Sequence, residues 1–163
     1  METIKKKITF KKLLEINATI FNKNLDSSKR DRLSASIVQL SEYLKYPMEQ
    51  YNKKQMEIYQ ELCSVDSDGN FYLDEKLQPI YTKINKANQK KLDERIDKLL
   101  KEEVEIEVKY CTDLTRIKTL HLSFISILNG FVFELSEEQI EEIFIAKESD
   151  ASDVSKKEEI SQN

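Results

Sequence analysis

Two long, glycine-free, heavily charged amphipathic segments dominate this chain, one over about Ser28 to Ser64 and the other over Glu75 to Glu103, separated by Asp66-Ser67-Asp68-Gly69-Asn70. Each carries one apolar stripe, and such a stripe is stable only when it is covered. With so short a connection, the nearest cover for each segment is the other, folded back antiparallel. The sequence therefore predicts a helical hairpin.

The spacing supports a single seam. In the first segment Leu33, Ile37, Leu40 and Leu44 recur at helical intervals, and Ile37, Leu44, Tyr51 and Ile58 continue as a heptad ladder. Pro47 falls inside the ladder, where it removes one backbone donor and crowds the carbonyl four residues earlier. Because the register is kept across it, a kink is preferred over two separate helices. Asp26, Ser27 and Ser28 are candidate caps for the helix start. The second segment, with Asp74 as its cap and Pro79 near its first turns, carries Ile80, Ile84, Ala87, Leu92, Ile96, Leu99 and Leu100. At about 1.5 Å per residue the two helices would be roughly 55 and 40 Å long, a rod-like pair.

The flanks read differently. Thr3 to Phe10 alternates weakly, as a short strand does, and the period then becomes helical through Leu13, Leu14, Ile16, Ile20 and Phe21. Val104 to Tyr110 alternates strictly, and it can pair with the opening strand. Leu120 to Leu135 has two readings: a hairpin turning at Asn129-Gly130, or a helix over Leu120 to Leu128 ended by Gly130, the latter preferred. Ser136-Glu137-Glu138-Gln139 is a capping box opening a short helix with Ile140, Ile143 and Phe144 on one side. Residues 147–163 offer almost nothing to bury and read as an acidic, disordered tail. The expected architecture is mainly α with a small β component (α+β): one hairpin domain over 1–146, a two-stranded sheet and a C-terminal helical cap.

Charge and cysteine usage narrow the function classes. From Glu137 onward nine acidic residues face three basic ones, a balance of −6, so the rest of the chain carries about +2 of the net −4. The lysines at 5–7, 11 and 12 alternate with or flank apolar residues, as on an edge strand or first helical turn, which argues against nucleic-acid binding. No run approaches the length of a membrane span, and the opening residues lack the apolar core of a signal peptide. Cys63 and Cys111 lack metal or redox spacing and read as buried apolar groups in a reducing setting.

Three candidate sites emerge. Residues 64–75 lay onto a calcium-loop template, with Ser64, Asp66, Asp68, Asn70 and Glu75 as oxygen donors and Gly69 at the sixth place. Ser64 supplies only a neutral oxygen where a carboxylate is usual, and Asp-Gly-Asn is equally what a tight turn requires, so the plain turn is preferred. A thiol–imidazole pair of His121 with either cysteine lacks any sign of activation, and packing is the better reading for both thiols. Tyr43, Tyr46 and Tyr59 lie off the main ladder and could form a second stripe that faces a partner, although cover by a third element, such as the first helix or the segment Leu120 to Phe131, is the preferred reading. With no phosphate-binding glycine loop and no cofactor motif, the expectation is a protein without catalytic residues or cofactor.

The order of features resembles small uncharacterised proteins of tailed bacteriophages. The likeness spans about residues 7 to 145 and rests on Ile8-Thr9-Phe10-Lys11-Lys12-Leu13-Leu14, the Asp-Gly-Asn turn, Val104-Glu105-Ile106-Glu107 and the closing Leu135-Ser136-Glu137-Glu138-Gln139-Ile140. The stretch Asp113 to Phe133 is more apolar than that pattern, and the acidic tail is additional. The resemblance implies a viral context, in host cytoplasm or virion, and carries no activity or site residues. The resulting expectation is a non-enzymatic phage protein acting by protein–protein contact, as a structural component or adaptor binding a virion or host protein, with homo-oligomerisation as a further partner mode. The alternative is a regulator using its acidic surface or the degenerate calcium-type loop.

Overall fold

The computed structural model describes residues 3–22, 25, 31–62, 75–76 and 86–161, with side chains in the last helix described to Ser149. Among these residues the chain is mainly helical, with six helices and one two-stranded antiparallel sheet. The order is β1 (Ile4–Thr9), α1 (Phe10–Ile20), α2 (Arg32–Leu62), α3 (Lys86–Lys101), β2 (Glu103–Val108), α4 (Leu114–Ile117), α5 (Leu122–Leu128) and α6 (Glu137–Ser161). The sequence reads as one domain; the fold groups the chain into two compact units. One holds 5–17 and 42–107, the other 1–4, 18–41 and 108–163.

In the unit of 5–17 and 42–107, strand passes directly into helix. Thr9 ends β1, and its hydroxyl accepts the Lys12 amide (3.2 Å), so the last strand residue also caps α1. The Phe10 amide donates to the Glu102 carbonyl (2.9 Å), extending the β1–β2 ladder by one bond. Alternation in β2 is clean: Ile106 and Val108 are buried, while Glu103, Glu105 and Glu107 are exposed. Lys5 reaches across to Glu105 (3.1 Å), and the hydrogen bond to that carboxylate, with its charge, holds the exposed ammonium above its ordinary range.

The same unit contains the hairpin. The Asn88 side-chain amide donates to the Leu62 carbonyl (3.3 Å), Arg95 pairs with Glu61, and Lys54 pairs with Glu102 (2.5 Å). As the α2 number falls the α3 number rises, which fixes the two helices as antiparallel neighbours. Ile58, Leu92 and Leu99 are buried. The clasp involves the C-terminal half of α2, at Lys54 to Leu62; earlier in the helix, Tyr51 packs on Phe10 instead (ring centroids 5.5 Å apart). Glu75 and Lys76 form a turn and do not begin a helix; the described second helix starts at Lys86 and is about 24 Å long at 1.5 Å per residue. Asp74, Pro79, Ile80 and Ile84 lie outside the described residues.

α2 is one helix of 31 residues, about 46 Å by the same rise, continuous through a buried Pro47. The whole ladder is inside: Leu33, Ile37, Leu40, Leu44, Tyr51 and Ile58 are all buried. Its cap is Asp31, whose carboxylate accepts the Ser34 amide (2.7 Å), whereas the expected caps at 26–28 lie outside the described residues.

In the other unit, the preferred helical reading of 120–128 holds, as α5. The chain leaves it through Asn129 and Gly130, whose φ of 88° is the left-handed region that costs glycine least. Asn129 Oδ1 accepts the Leu135 amide (2.9 Å), and the Tyr110 hydroxyl donates to the Gly130 carbonyl (3.2 Å). Val132 and Phe133 are thereby placed in the core. The capping box forms in both directions: Gln139 N–H donates to Ser136 Oγ (3.2 Å), and Ser136 N–H donates to Gln139 Oε1 (2.9 Å). The helix it opens runs to Ser161, well past Lys147, where the composition reads as a tail. Glycine and proline are absent from 137–161, so nothing in the backbone chemistry stops it.

Candidate functional site

The off-ladder tyrosines diverge in environment. Tyr46 is 68% exposed, whereas Tyr43 and Tyr59 are half-buried. Helical periodicity explains the split: Tyr51 lies on the ladder itself and Tyr46 five residues before it, rotated toward solvent. Burial, reinforced by nearby Tyr59, raises the Tyr51 hydroxyl above its usual range. The three expected contact residues therefore do not form one exposed stripe; Tyr46 alone is open.

Tyr46 stands at the edge of an open groove of about 590 Å³. The groove runs past Phe10, Tyr46, Gln50, Lys53, Lys54 and Val104, with Glu49, Glu57 and Glu103 around it. Its accessible apolar lining is the Tyr46 ring and the partly exposed Val104 of β2, whereas Phe10, at the strand–helix junction, is buried. Lys54 spans the site: its ammonium is 5.7 Å from the centre of the Phe10 ring while it pairs with Glu102. Beside it, a second groove of about 530 Å³ lies between α2 and α3, where Ile58 and Leu99 are flanked by Glu57, Glu61, Arg95 and Lys98. Both grooves combine apolar lining residues with side chains of both charge signs.

Sequence reasoning identified Tyr46 but missed its neighbours. Lys54 and Glu102 are 48 positions apart, and only the return of the chain through α3 brings them together. The one available signal was Phe10, an aromatic residue at the point where period two becomes period 3.6.

The remaining candidates separate from this groove. Ser64, Asp66, Asp68 and Asn70 lie outside the described residues, as does Cys63, and Glu75 is exposed in a turn. Among the described residues no group of three or more His, Cys, Asp or Glu side chains is placed to hold a metal ion. Cys111 is buried, its amide donating to the Val132 carbonyl (2.6 Å) and its sulfur accepting from the Asp113 amide (3.4 Å). His121 caps α5: Nδ1 accepts the Ser123 amide (3.2 Å) and lies 2.8 Å from Ser123 Oγ. No described helix is long and apolar enough to cross a membrane. Compared with known protein families, curated proteins and solved structures, the chain matches none.

Proposed function

We propose that this protein works by contact with another protein, as a structural component or adaptor without chemistry of its own, in the phage setting that the sequence resemblance implies. The observation that carries the reading is the exposed Tyr46 at the groove formed with Phe10 and Val104. A tyrosine offers a large rigid apolar face and a polar tip at low entropic cost, which is why such residues anchor interfaces. The groove's mixed charge supplies the polar rim that gives specificity and orientation.

A photoreactive phenylalanine analogue at position 46 tests this in extracts of phage-infected cells. The reading expects a discrete adduct, absent with the same probe at the exposed Lys90 and competed by unlabelled wild-type protein but not by Tyr46→Asp. Indistinguishable adducts at positions 46 and 90 would remove the groove as a contact site. Sedimentation velocity over a range of concentrations shows whether the partner is a second copy.

A further inference from the structure

Within the unit of 5–17 and 42–107, the glutamates at the Tyr46 groove differ from their neighbours in the company they keep. Glu15, Glu42, Glu61, Glu94, Glu102 and Glu105 each pair with a lysine or arginine of the same unit. Glu49, Glu57 and Glu103 line the groove, are exposed, and pair with no cation among the described residues. Two ammonium groups share that groove, but Lys54 already serves Glu102 (2.5 Å). Lys53, four residues from both Glu49 and Glu57, can balance one carboxylate. Negative charge is therefore left in excess beside a tyrosine ring that is 68% exposed.

The fold shows, in the same groove, what such a set accepts. Lys54 Nζ lies 5.7 Å from the centre of the Phe10 ring while it is bound to Glu102, so one cation is shared by a ring and a carboxylate. Tyr46, with Glu49 one helical turn further on, repeats the ring and the carboxylate with no cation of the described chain on them. We propose that the groove receives an arginine side chain of a partner protein, stacked on Tyr46 and bonded to the neighbouring carboxylates. This rests on the contact reading above and names the chemistry of the contact. A guanidinium suits the place better than an ammonium, because it is planar, stacks on a ring face, forks onto a carboxylate and is more weakly hydrated. Its aliphatic stem can cover the partly exposed Val104. The same excess of carboxylate repels nucleic acid and anionic lipid.

The test follows amide NMR spectra of the full chain during titration with acetyl-Val-Arg-Val-amide at 50 and 200 mM salt. Amides around Tyr46, Glu49 and Val104 shift and saturate, and the higher salt weakens the binding. The citrulline peptide, which keeps the shape and lacks the charge, binds about tenfold more weakly, equivalent to about 1.4 kcal/mol. Glu49→Gln/Glu103→Gln weakens arginine binding by a similar factor, and Tyr46→Ala does the same. Tyr46→Phe keeps the ring and retains binding, which guards against a fold defect in the alanine variant. Glu137→Gln/Glu138→Gln, which alters exposed carboxylates of the other unit, leaves binding unchanged. The inference is overturned if citrulline binds as tightly as arginine, if Glu49→Gln/Glu103→Gln binds as wild type, or if no peptide moves these amides at 10 mM. The photoreactive probe at position 46 separates this outcome from failure of the contact itself. An adduct that persists undiminished in Glu49→Gln/Glu103→Gln leaves the contact standing and removes arginine as its occupant, whereas no discrete adduct in the wild-type background removes both.

Discussion

At the residue scale, Asp31 does two tasks with one carboxylate. One oxygen caps α2 through the Ser34 amide and the other takes Arg116 Nε (2.7 Å), in a site where both side chains are mostly covered. The Ser34 amide pulls its ionisation below the ordinary 3.8 most strongly; burial opposes it, and the Arg116 guanidinium and the Ser34 hydroxyl add to the lowering. The folded value lies below the unfolded one, so this stabilisation is complete above pH 3.8 and is lost as pH falls through the folded value. Asp31→Ala should cost about 1–2 kcal/mol in urea unfolding at pH 7, and its difference from wild type should narrow below pH 3.8. Asp31→Asn keeps a capping oxygen and should cost less. A difference that persists undiminished at pH 2 would place the effect elsewhere. Gly130 gives a second expectation: at φ 88°, Gly130→Ala adds a Cβ to left-handed backbone and should destabilise by about 1–2 kcal/mol in thermal or urea unfolding.

At the element scale, burial along α2 follows the ladder through Pro47. Leu44→Ala, one turn before the proline at a fully covered position, should cost about 2–5 kcal/mol, read by urea unfolding. Lys54→Ala breaks an ion pair whose partners are about half exposed, and should cost under about 1 kcal/mol. Ser136→Ala removes one half of the capping box and should cost about 1 kcal/mol in the same assay. The local physics of these elements was legible in the residues: alternation in β2, the helical intervals of α2, the reciprocal Ser136 and Gln139 bonds, and Gly130 after α5. The less legible features depend on distant partners or weak local signals. Asp31 caps α2 in addition to bonding Arg116, 85 positions away, a partner that no local signal announces. α4 is a four-residue helix capped by Asp113, too short for any periodicity to announce it.

At the scale of the whole molecule, hydrophobic spacing predicted the pairing of α2 with α3 but not its extent. The ladder from Ile37 to Ile58 reads as one continuous seam, yet among the described residues the polar bonds from α2 to α3 and to Glu102 just after it fall between Lys54 and Leu62, while Tyr51 packs on Phe10. A stripe records that a face is covered, not which element covers it. Both the groove at Tyr46 and the junction at Glu102 exist because α3 returns along α2. Paramagnetic relaxation tests that return most directly, with a nitroxide attached at Glu61→Cys in a background where Cys63 and Cys111 are serine. The account predicts strong broadening of backbone amides around Arg95, in addition to those near the label. Broadening confined to the label's sequence neighbours, with the amides of residues 91–99 unaffected, would contradict it.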